Sequence, residues 1–182
     1  TLVSRRLQNM PIDIPFIPVQ IAILTVSDTR RPKDDRSGDV LEEKIMLAGH
    51  KMVDRDIVHD DVDKICAKLK DWIADDQVDV VITTGGTGVT GRDVTPEALE
   101  SVWEKEIPGF GELFRWVSFQ TIATSTIQSR ACAGVAGGTY MFALPGSPNA
   151  CKDGWEQILI HQLDNRHRPC NFVELMPRLQ EK

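Results

Sequence analysis

The sequence lacks the features that direct a protein to nucleic acid or into a membrane. Its 21 lysines and arginines are outnumbered by 27 aspartates and glutamates, and the net charge of -6 argues against a broad basic surface for nucleic acid. It has no apolar run near the roughly 18 residues that a membrane helix needs, and no signal-peptide pattern at its start. We therefore expect a cytoplasmic protein that binds neither nucleic acid nor membrane.

Cysteine and histidine are also sparse. The four cysteines lie far apart without a C-x-x-C pair, and the four histidines show no ligand spacing, so metal and redox motifs are unsupported. Cys66 and Cys151 fall at apolar positions of predicted helices, where buried thiols in a reducing compartment are the simpler interpretation. With 41% hydrophobic residues over 182 positions, the chain suits one globular domain with its own core.

Strand and helix patterns alternate along the chain. Runs near residues 20, 52, 79 and 140 predict strands, the second of them of mixed apolar and polar character, and helical patterns lie between them. This alternation predicts an α/β domain with a largely parallel sheet and helices on both faces. We expect one domain over 19–172, preceded by an extended arm at 1–18 and followed by a polar tail at 173–182. The proline-marked arm docks through its apolar residues or packs on a neighbouring subunit.

Polar turns follow the predicted parallel strands. They occupy 28–38, 59–61, 85–95 and 145–148, and parallel strands would bring all four to one edge of the sheet, where α/β proteins bind ligands. Structural explanations compete at each of them. Residues 28–38 are equally consistent with an ordinary turn, and either Asp60 or Asp61 is expected to cap the next helix.

Other capping signals place three more helix starts. Ser37, Thr95 and Ser147 are the predicted N-caps, the last two followed by proline at the first helical position. A second, shorter helix is expected after Pro108-Gly109. The segment 121–136 is rich in small and hydroxyl residues, which suits either a ligand or a subunit interface.

The most informative stretch is the glycine-rich loop at 83–97. Glycines allow backbone amides to approach phosphate oxygens, and the carboxylate of Asp93 suits a Mg²⁺ ion carried on phosphates. Gly86, Gly88 and Gly91 satisfy the dinucleotide fingerprint, but the capping signal at Thr95 comes too late for a helix to begin among the glycines. The kinase-type P-loop fails because the loop has no lysine followed by serine or threonine.

The loop resembles a specific signature. Thr83-Thr84-Gly85-Gly86-Thr87-Gly88 followed by Arg92-Asp93-Val94-Thr95-Pro96-Glu97-Ala98 is similar to that of the MoaB/MogA molybdenum cofactor biosynthesis family. The likeness extends over residues 19 to 172 and includes Ser129-Arg130 and Leu144-Pro145-Gly146-Ser147-Pro148. The later motifs resemble the MoaB branch more closely.

The resemblance implies a fold and an activity. The fold is a three-layer α/β molybdopterin-binding domain, usually assembled as a trimer or a dimer of trimers. The activity is transfer of AMP from ATP to the terminal phosphate of molybdopterin with Mg²⁺, releasing pyrophosphate. A non-catalytic protein that binds molybdopterin or another protein of the pathway is the alternative. A purely structural glycine turn is a third interpretation.

The resemblance also implies site residues. Asp60 and Asp93 would be the catalytic acids and the ligands of Mg²⁺. Contacts to the pterin phosphate would come from Ser27, Asp28, Ser129, Arg130, Pro145, Gly146 and Ser147, and the pocket where pterin and nucleotide meet would be lined by Thr84, Gly85, Gly86, Thr87 and Gly88.

Overall fold

The computed structural model of the protein describes residues 14–181. The strands are β1 (Gln20–Val26), β2 (Lys51–Val58), β3 (Val80–Thr84), β4 (Lys105–Glu106), β5 (Cys132–Ala136) and β6 (Thr139–Leu144). The helices are α1 (Arg36–Leu47), α2 (Val62–Ile73), α3 (Thr95–Glu100), α4 (Pro108–Ile122), α5 (Pro148–Gly154) and α6 (Ile160–Gln162), with a π-helical turn at Trp155–Leu159 between the last two. Short 3-10 helices occupy Pro32–Asp34, Ala123–Gln128 and Val173–Arg178.

The six strands form one sheet in the order β2-β1-β3-β6-β5-β4. The first four in this order are parallel, while β5 runs antiparallel to β6 and β4 antiparallel to β5. The predicted α/β fold with a mostly parallel, helix-flanked sheet is therefore confirmed. The antiparallel strand β5 lies within the segment 121–136, for which the sequence had predicted no strand.

Both faces of the sheet are buried, which makes three layers. Ile21, Ile23 and Phe142 point to one side, into a core shared with α1, α4 and Trp155. Their alternating neighbours Ala22, Leu24 and Met141 point to the other side, against α2 and α3. Central parallel strands that are covered on both faces carry nearly continuous apolar runs, as Ile21 to Leu24 in β1 and Val80 to Ile82 in β3 do.

Two predicted helix caps are wrong. Asp35, rather than Ser37, caps α1 by accepting a hydrogen bond of 3.2 Å from the amide of Gly38. Thr95 is the first residue of α3 instead of its N-cap, and its hydroxyl donates to the carbonyl of Gly85 at 2.8 Å. In both cases the hydroxyl that was predicted to cap the helix instead donates a hydrogen bond to a backbone carbonyl elsewhere in the fold.

The other caps agree with the sequence. Ser147 caps α5, and of the two candidates before α2 it is Asp61 that does so, accepting from the amide of Lys64 at 2.9 Å. Asp60 therefore has no capping role. The helix expected after Pro108-Gly109 is present but runs 15 residues, longer than predicted.

The part of the predicted arm that the structure describes lies on its own domain. Ile17 donates its amide to Asn165, and the amide group of Asn165 donates to the carbonyl of Pro15 at 2.9 Å. Residues 1–13 lie outside the described part, so the packing of the arm on a neighbouring subunit stays a prediction. Val173, in the predicted tail, is buried in the core. Within 14–181, no helix is long and apolar enough to cross a membrane.

Candidate functional site

The four parallel strands end at one edge of the sheet, and a cavity of about 520 Å³ opens there. The predicted turns after β1, β2, β3 and β6 all contribute to it. Of the predicted site residues, those in its wall are Ser27, Asp60, Gly85, Gly86, Thr87, Gly88, Asp93, Ser129, Pro145, Gly146 and Ser147. The structure thus brings together residues that are up to about 120 positions apart in the chain, as expected for the carboxyl edge of a parallel sheet.

The glycine loop turns tightly enough that side chains are excluded at two positions. Gly85 has φ +105°, and a Cβ there would lie 2.2 Å from the carbonyl oxygen of Val26. Gly86 has φ +65°, and a Cβ there would lie 2.4 Å from the hydroxyl of Thr95 and 3.3 Å from the carboxylate of Asp60. Left-handed backbone and close approach both require glycine here. The loop is thereby held against the acid that follows β2.

Asp60 is the first of the two acids in the cavity wall. Its Oδ2 accepts a hydrogen bond of 3.0 Å from the amide of Asp28, and none of the side-chain hydrogen bonds found within residues 14–181 involves its Oδ1. Burial raises the pKa of Asp60, and the neighbouring charge of Asp93 raises it further. A nearby cation would stabilise the ionised form of Asp60, because it would offset both the burial and the repulsion from Asp93.

Asp93 is the second acid, and its surroundings favour the charged form. Burial acts to raise its pKa, but hydrogen bonds from the hydroxyl and amide of Thr90, at 2.6 and 2.8 Å, and one from the amide of Gly88 outweigh that effect. The guanidinium of Arg130 adds to the lowering, so the pKa of Asp93 lies below its usual value. The cavity wall therefore contains two acids whose pKa values are shifted in opposite directions, downward for Asp93 and upward for Asp60.

The acids fit a magnesium ion that arrives with a phosphate substrate. Within residues 14–181, no group of three or more histidine, cysteine, aspartate or glutamate side chains is placed to form an all-protein metal site. Mg²⁺ in phosphate-transfer sites is instead bound by one or two carboxylates, with substrate phosphates and water completing its shell. Asp60 and Asp93 supply that number of carboxylates to the cavity wall.

Arg30 is a functional candidate that the sequence analysis missed. It lies in the cavity wall, where its guanidinium donates to the hydroxyl of Ser37 at 3.0 Å and to the carbonyl of Gly146. Ser37 in turn donates to the same carbonyl at 3.0 Å. These contacts join the turn after β1 to the turn after β6. The only sequence signal was an arginine within the polar turn at 28–38.

A buried carboxylate supports this wall from behind. Asp35 is fully buried and accepts from the hydroxyl of Thr25 at 2.7 Å and from the guanidinium of Arg55 at 2.8 Å, besides capping α1. Burial acts to raise the pKa of Asp35, but the hydrogen bonds from Arg55, Thr25 and Gly38 lower it below its usual value. Asp35 is therefore ionised and joins β1, β2 and α1.

Two of the predicted site residues support the loop without lining the cavity. Thr84 is buried and donates to the carbonyl of Pro145 at 3.0 Å. Arg130 donates to the backbone carbonyls of Gly88 and Asp93, both at 2.6 Å, and forms an ion pair with Glu97. Its guanidinium is thus committed to shaping the glycine loop.

Asp28 is the third predicted residue outside the cavity wall. Its Oδ1 lies 3.1 Å from Nδ1 of His59 and accepts from the amide of Asp60 at 3.3 Å, while Arg92 contacts its Oδ2. A phosphate contact through this carboxylate would bring two negative groups together. The described geometry instead connects Asp28 to the protein.

The far side of the cavity is formed by α4 and the 3-10 helix after it. Ser118 and Ile122 come from α4, and Ser125 and Gln128 from the 3-10 helix. Part of the segment at 121–136 therefore faces the cavity, one of the two placements left open by the sequence.

The fold, a mostly parallel sheet flanked by helices, agrees with the comparisons with known proteins. The family described as "Probable molybdopterin binding domain" matches residues 22–165, and the chain belongs to this family. Among curated relatives, molybdenum cofactor biosynthesis protein B of Escherichia coli (strain K12) is 54% identical over 157 residues, which cover 86% of this chain and 92% of the relative. The same-named protein of Bacillus subtilis (strain 168) is 40% identical over 146 residues, covering 80% of this chain and 86% of the relative.

Solved structures give the same result for the fold. A crystal structure of molybdenum cofactor biosynthesis protein B is similar with a TM-score of 0.79 and 41% identity, covering 81% of this chain and 92% of that one. The tungsten cofactor synthesizing protein MoaB from Pyrococcus furiosus has a TM-score of 0.69 and 36% identity, with 80% and 92% covered. The resemblance to the MoaB/MogA family noted from the glycine loop is confirmed.

Proposed function

We propose that this chain acts in molybdenum cofactor biosynthesis, binding molybdopterin in the cavity and transferring AMP from Mg-ATP to the terminal phosphate of the pterin. The coarser part of this proposal, a role in the pathway, is supported by the family and by the names of the relatives. The observation that carries the finer part is the convergence of Asp60 and Asp93 on one cavity beside a glycine loop.

The two acids favour a reaction that uses a metal-bound nucleotide. At 4 Å and an effective dielectric constant of 20, each carboxylate would repel a phosphate charge by roughly 4 kcal/mol. A cation bound between the carboxylates and the phosphate would make the net interaction attractive. Bound Mg²⁺ would neutralise the triphosphate and orient it, with Asp60 and Asp93 as its protein ligands. A cavity for a pterin alone has no evident need for a pair of acids.

For this reaction the protein mainly has to align the reacting phosphates and stabilise their charge, and it need not form a covalent intermediate. An oxygen of the terminal pterin phosphate forms a bond to the α-phosphorus of ATP, and the bond from that phosphorus to the β-bridging oxygen breaks. The electron pair leaves with pyrophosphate. Backbone amides of the glycine loop, together with Ser129, Ser147 and Arg30 in the wall, would orient the phosphates.

Product formation tests the proposal. The protein is incubated with molybdopterin, Mg²⁺ and ATP, and adenylylated pterin and pyrophosphate are measured. We expect Asp93→Ala and Asp60→Ala each to lower turnover about 100-fold or more, equivalent to about 3 kcal/mol, with pterin binding retained. Asp63→Ala is the matched control, since Asp63 is an exposed aspartate on α2 outside the cavity.

The outcomes separate the two candidate functions. Product that disappears in both acid variants and persists in Asp63→Ala supports the enzyme. Unchanged turnover in the acid variants removes both residues from the mechanism. Tight pterin binding without product in the unmodified protein identifies a non-catalytic binding protein.

We also propose that the protein is a cytoplasmic homo-oligomer, a trimer or a dimer of trimers. Support comes from α4, which presents exposed apolar side chains at regular spacing: Leu113, Trp116, Phe119 and Ile122. Trp116 is 64% exposed, and exposed apolar surface of this kind marks an interaction site. The buried thiols of Cys66 and Cys151 agree with a reducing compartment.

A further inference from the structure

Asp28 and Asp60 exchange hydrogen bonds in both directions. The amide of Asp28 donates to Oδ2 of Asp60 at 3.0 Å, and the amide of Asp60 donates to Oδ1 of Asp28 at 3.3 Å. The pair locks the turn after β1 to the turn after β2. It also fixes the carboxylate of Asp60 in one orientation, with Oδ2 taken by the protein. His59, adjacent to Asp60, lies 3.1 Å from the same Oδ1 of Asp28.

The other oxygen of Asp28 faces the glycine loop. Arg92, at the exposed tip of that loop, forms an ion pair with Oδ2 of Asp28. Asp93 is the next residue, so the carboxylate of Asp28 contacts the loop that carries the second acid and also accepts from the backbone amide of the first. The exposed tip of this loop is otherwise held by the hydrogen bonds from Thr90 to Asp93, while Arg130 binds the carbonyls of Gly88 and Asp93 on either side of it.

Both carboxylate oxygens of Asp28 are turned toward the protein, Oδ1 to the amide of Asp60 and the buried Oδ2 to Arg92, which indicates a role other than ligand contact. We propose that Asp28 is a positioning residue for the metal: its amide and carboxylate hold Asp60, and its contact with Arg92 anchors the loop beside Asp93, so that both acids face one Mg²⁺ ion. This inference rests on the proposed function of Asp60 and Asp93 as metal ligands. Partners that orient metal ligands contribute strongly to metal affinity, although they do not touch the ion.

Binding of Mn²⁺ as a substitute for Mg²⁺ tests the role without requiring turnover. Free Mn²⁺ is measured by electron paramagnetic resonance as protein is added to a fixed mixture of Mn²⁺ and ATP, and the Mn²⁺ that ATP binds without protein is subtracted. We expect Asp28→Ala to weaken Mn²⁺ binding about tenfold or more, within the range found for partners of metal ligands. Asp28→Asn keeps an oxygen for the amide of Asp60 but loses the charge that faces Arg92, so its loss should be smaller.

Two further variants locate the effect. Asp34→Ala removes an exposed aspartate from the same turn and should leave Mn²⁺ affinity unchanged. Arg92→Gln should weaken Mn²⁺ binding, and combined with Asp28→Asn it should add less than the two single changes together, because both break one contact. Additive effects would show that the ion pair does not transmit the orientation.

A kinetic measurement separates positioning from substrate contact. In turnover assays Asp28→Ala should raise the Mg²⁺ concentration needed for half-maximal rate, with little change in the KM for molybdopterin. A raised KM for molybdopterin with unchanged Mn²⁺ affinity would overturn the inference and make Asp28 a pterin contact.

The failure of this inference is distinguishable from the failure of the proposed function. Unmodified protein that binds Mn²⁺ with ATP but forms no adenylylated pterin refutes the transfer reaction, and the affinity of Asp28→Ala still decides the role of Asp28. Unmodified protein that binds no Mn²⁺ in the presence of ATP overturns the inference.

Discussion

Replacing Asp35 with alanine should cost much of the stability of the domain. Its carboxylate is fully buried and accepts from Thr25, Gly38 and Arg55, and alanine leaves all three donors without that partner. Loss of a helix N-cap costs about 1 kcal/mol. Each hydrogen bond to a charged group contributes about 1.5–3 kcal/mol. Because these terms are not additive, we expect about 3–5 kcal/mol, the range for breaking a buried ion pair.

The assay is urea unfolding at pH 7, followed by circular dichroism at one fixed protein concentration. For a domain of this size each kcal/mol corresponds to about 2–4 °C in Tm, so thermal unfolding should shift by roughly 6–20 °C. The control is Asp39→Ala, because Asp39 also pairs with Arg55 but its side chain is 59% exposed. That change should cost less than about 1 kcal/mol.

The pH dependence checks the cause. The pKa of Asp35 in the folded protein lies below its usual value, because the hydrogen bonds from Arg55, Thr25 and Gly38 outweigh the effect of burial. The stability that it contributes is therefore fully present above the pKa of the unfolded state and is lost as the pH falls through the lower folded pKa. Asp35→Asn should differ from the unmodified protein by a constant amount from pH 5 to pH 7, and the difference should shrink below about pH 4. An Asp35→Ala variant as stable as Asp39→Ala would refute the reasoning.

Three other changes give separate tests. Gly85→Ala should lower stability by about 1–3 kcal/mol and abolish pterin binding, because its Cβ would meet a carbonyl of β1, whereas Gly91→Ala, with open space around it, should do neither in parallel calorimetry. Burial and the charge of Asp93 raise the pKa of Asp60, so Mn²⁺ binding with ATP should weaken on acidification at a higher pH in the unmodified protein than in Asp93→Asn. Trp116→Glu should lower the assembly mass measured by light scattering, and an unchanged mass would remove α4 from the interface.

The sequence predicted the elements whose signals are local. Strand runs, the apolar periodicity of α2 and the glycine loop were all visible, and the parallel direction of most strands followed from the helices between them. The strand β5 was missed because Cys132–Ala136 has small residues and no alternation of apolar and polar positions. Its strand conformation comes from pairing with β6, which a local pattern does not record.

Side chains with distant partners were harder to assign. Arg130 was predicted as a phosphate contact, but Glu97 and two loop carbonyls take its guanidinium. Ser37 looked like a helix cap, yet its hydroxyl donates to Gly146, 109 positions away. For Asp60, the sequence left capping and ligand binding as alternatives, and only the hydrogen bond from Lys64 to Asp61 separated them. Contacts between residues that are distant in sequence can be predicted only when the order of the strands in the sheet is known.

The position of β6 in the sheet has a consequence for the growing polypeptide. During synthesis, β1, β2 and β3 leave the ribosome with both acids and the glycine loop, but Gly146, on which Arg30 and Ser37 converge, follows only after β6. Since β6 lies between β3 and β5, a nascent chain has no complete cavity until this late strand is inserted. A ligand of the cavity therefore binds only completely folded protein. By mass action this binding stabilises the folded state, so that folded molecules are degraded less than incompletely folded ones.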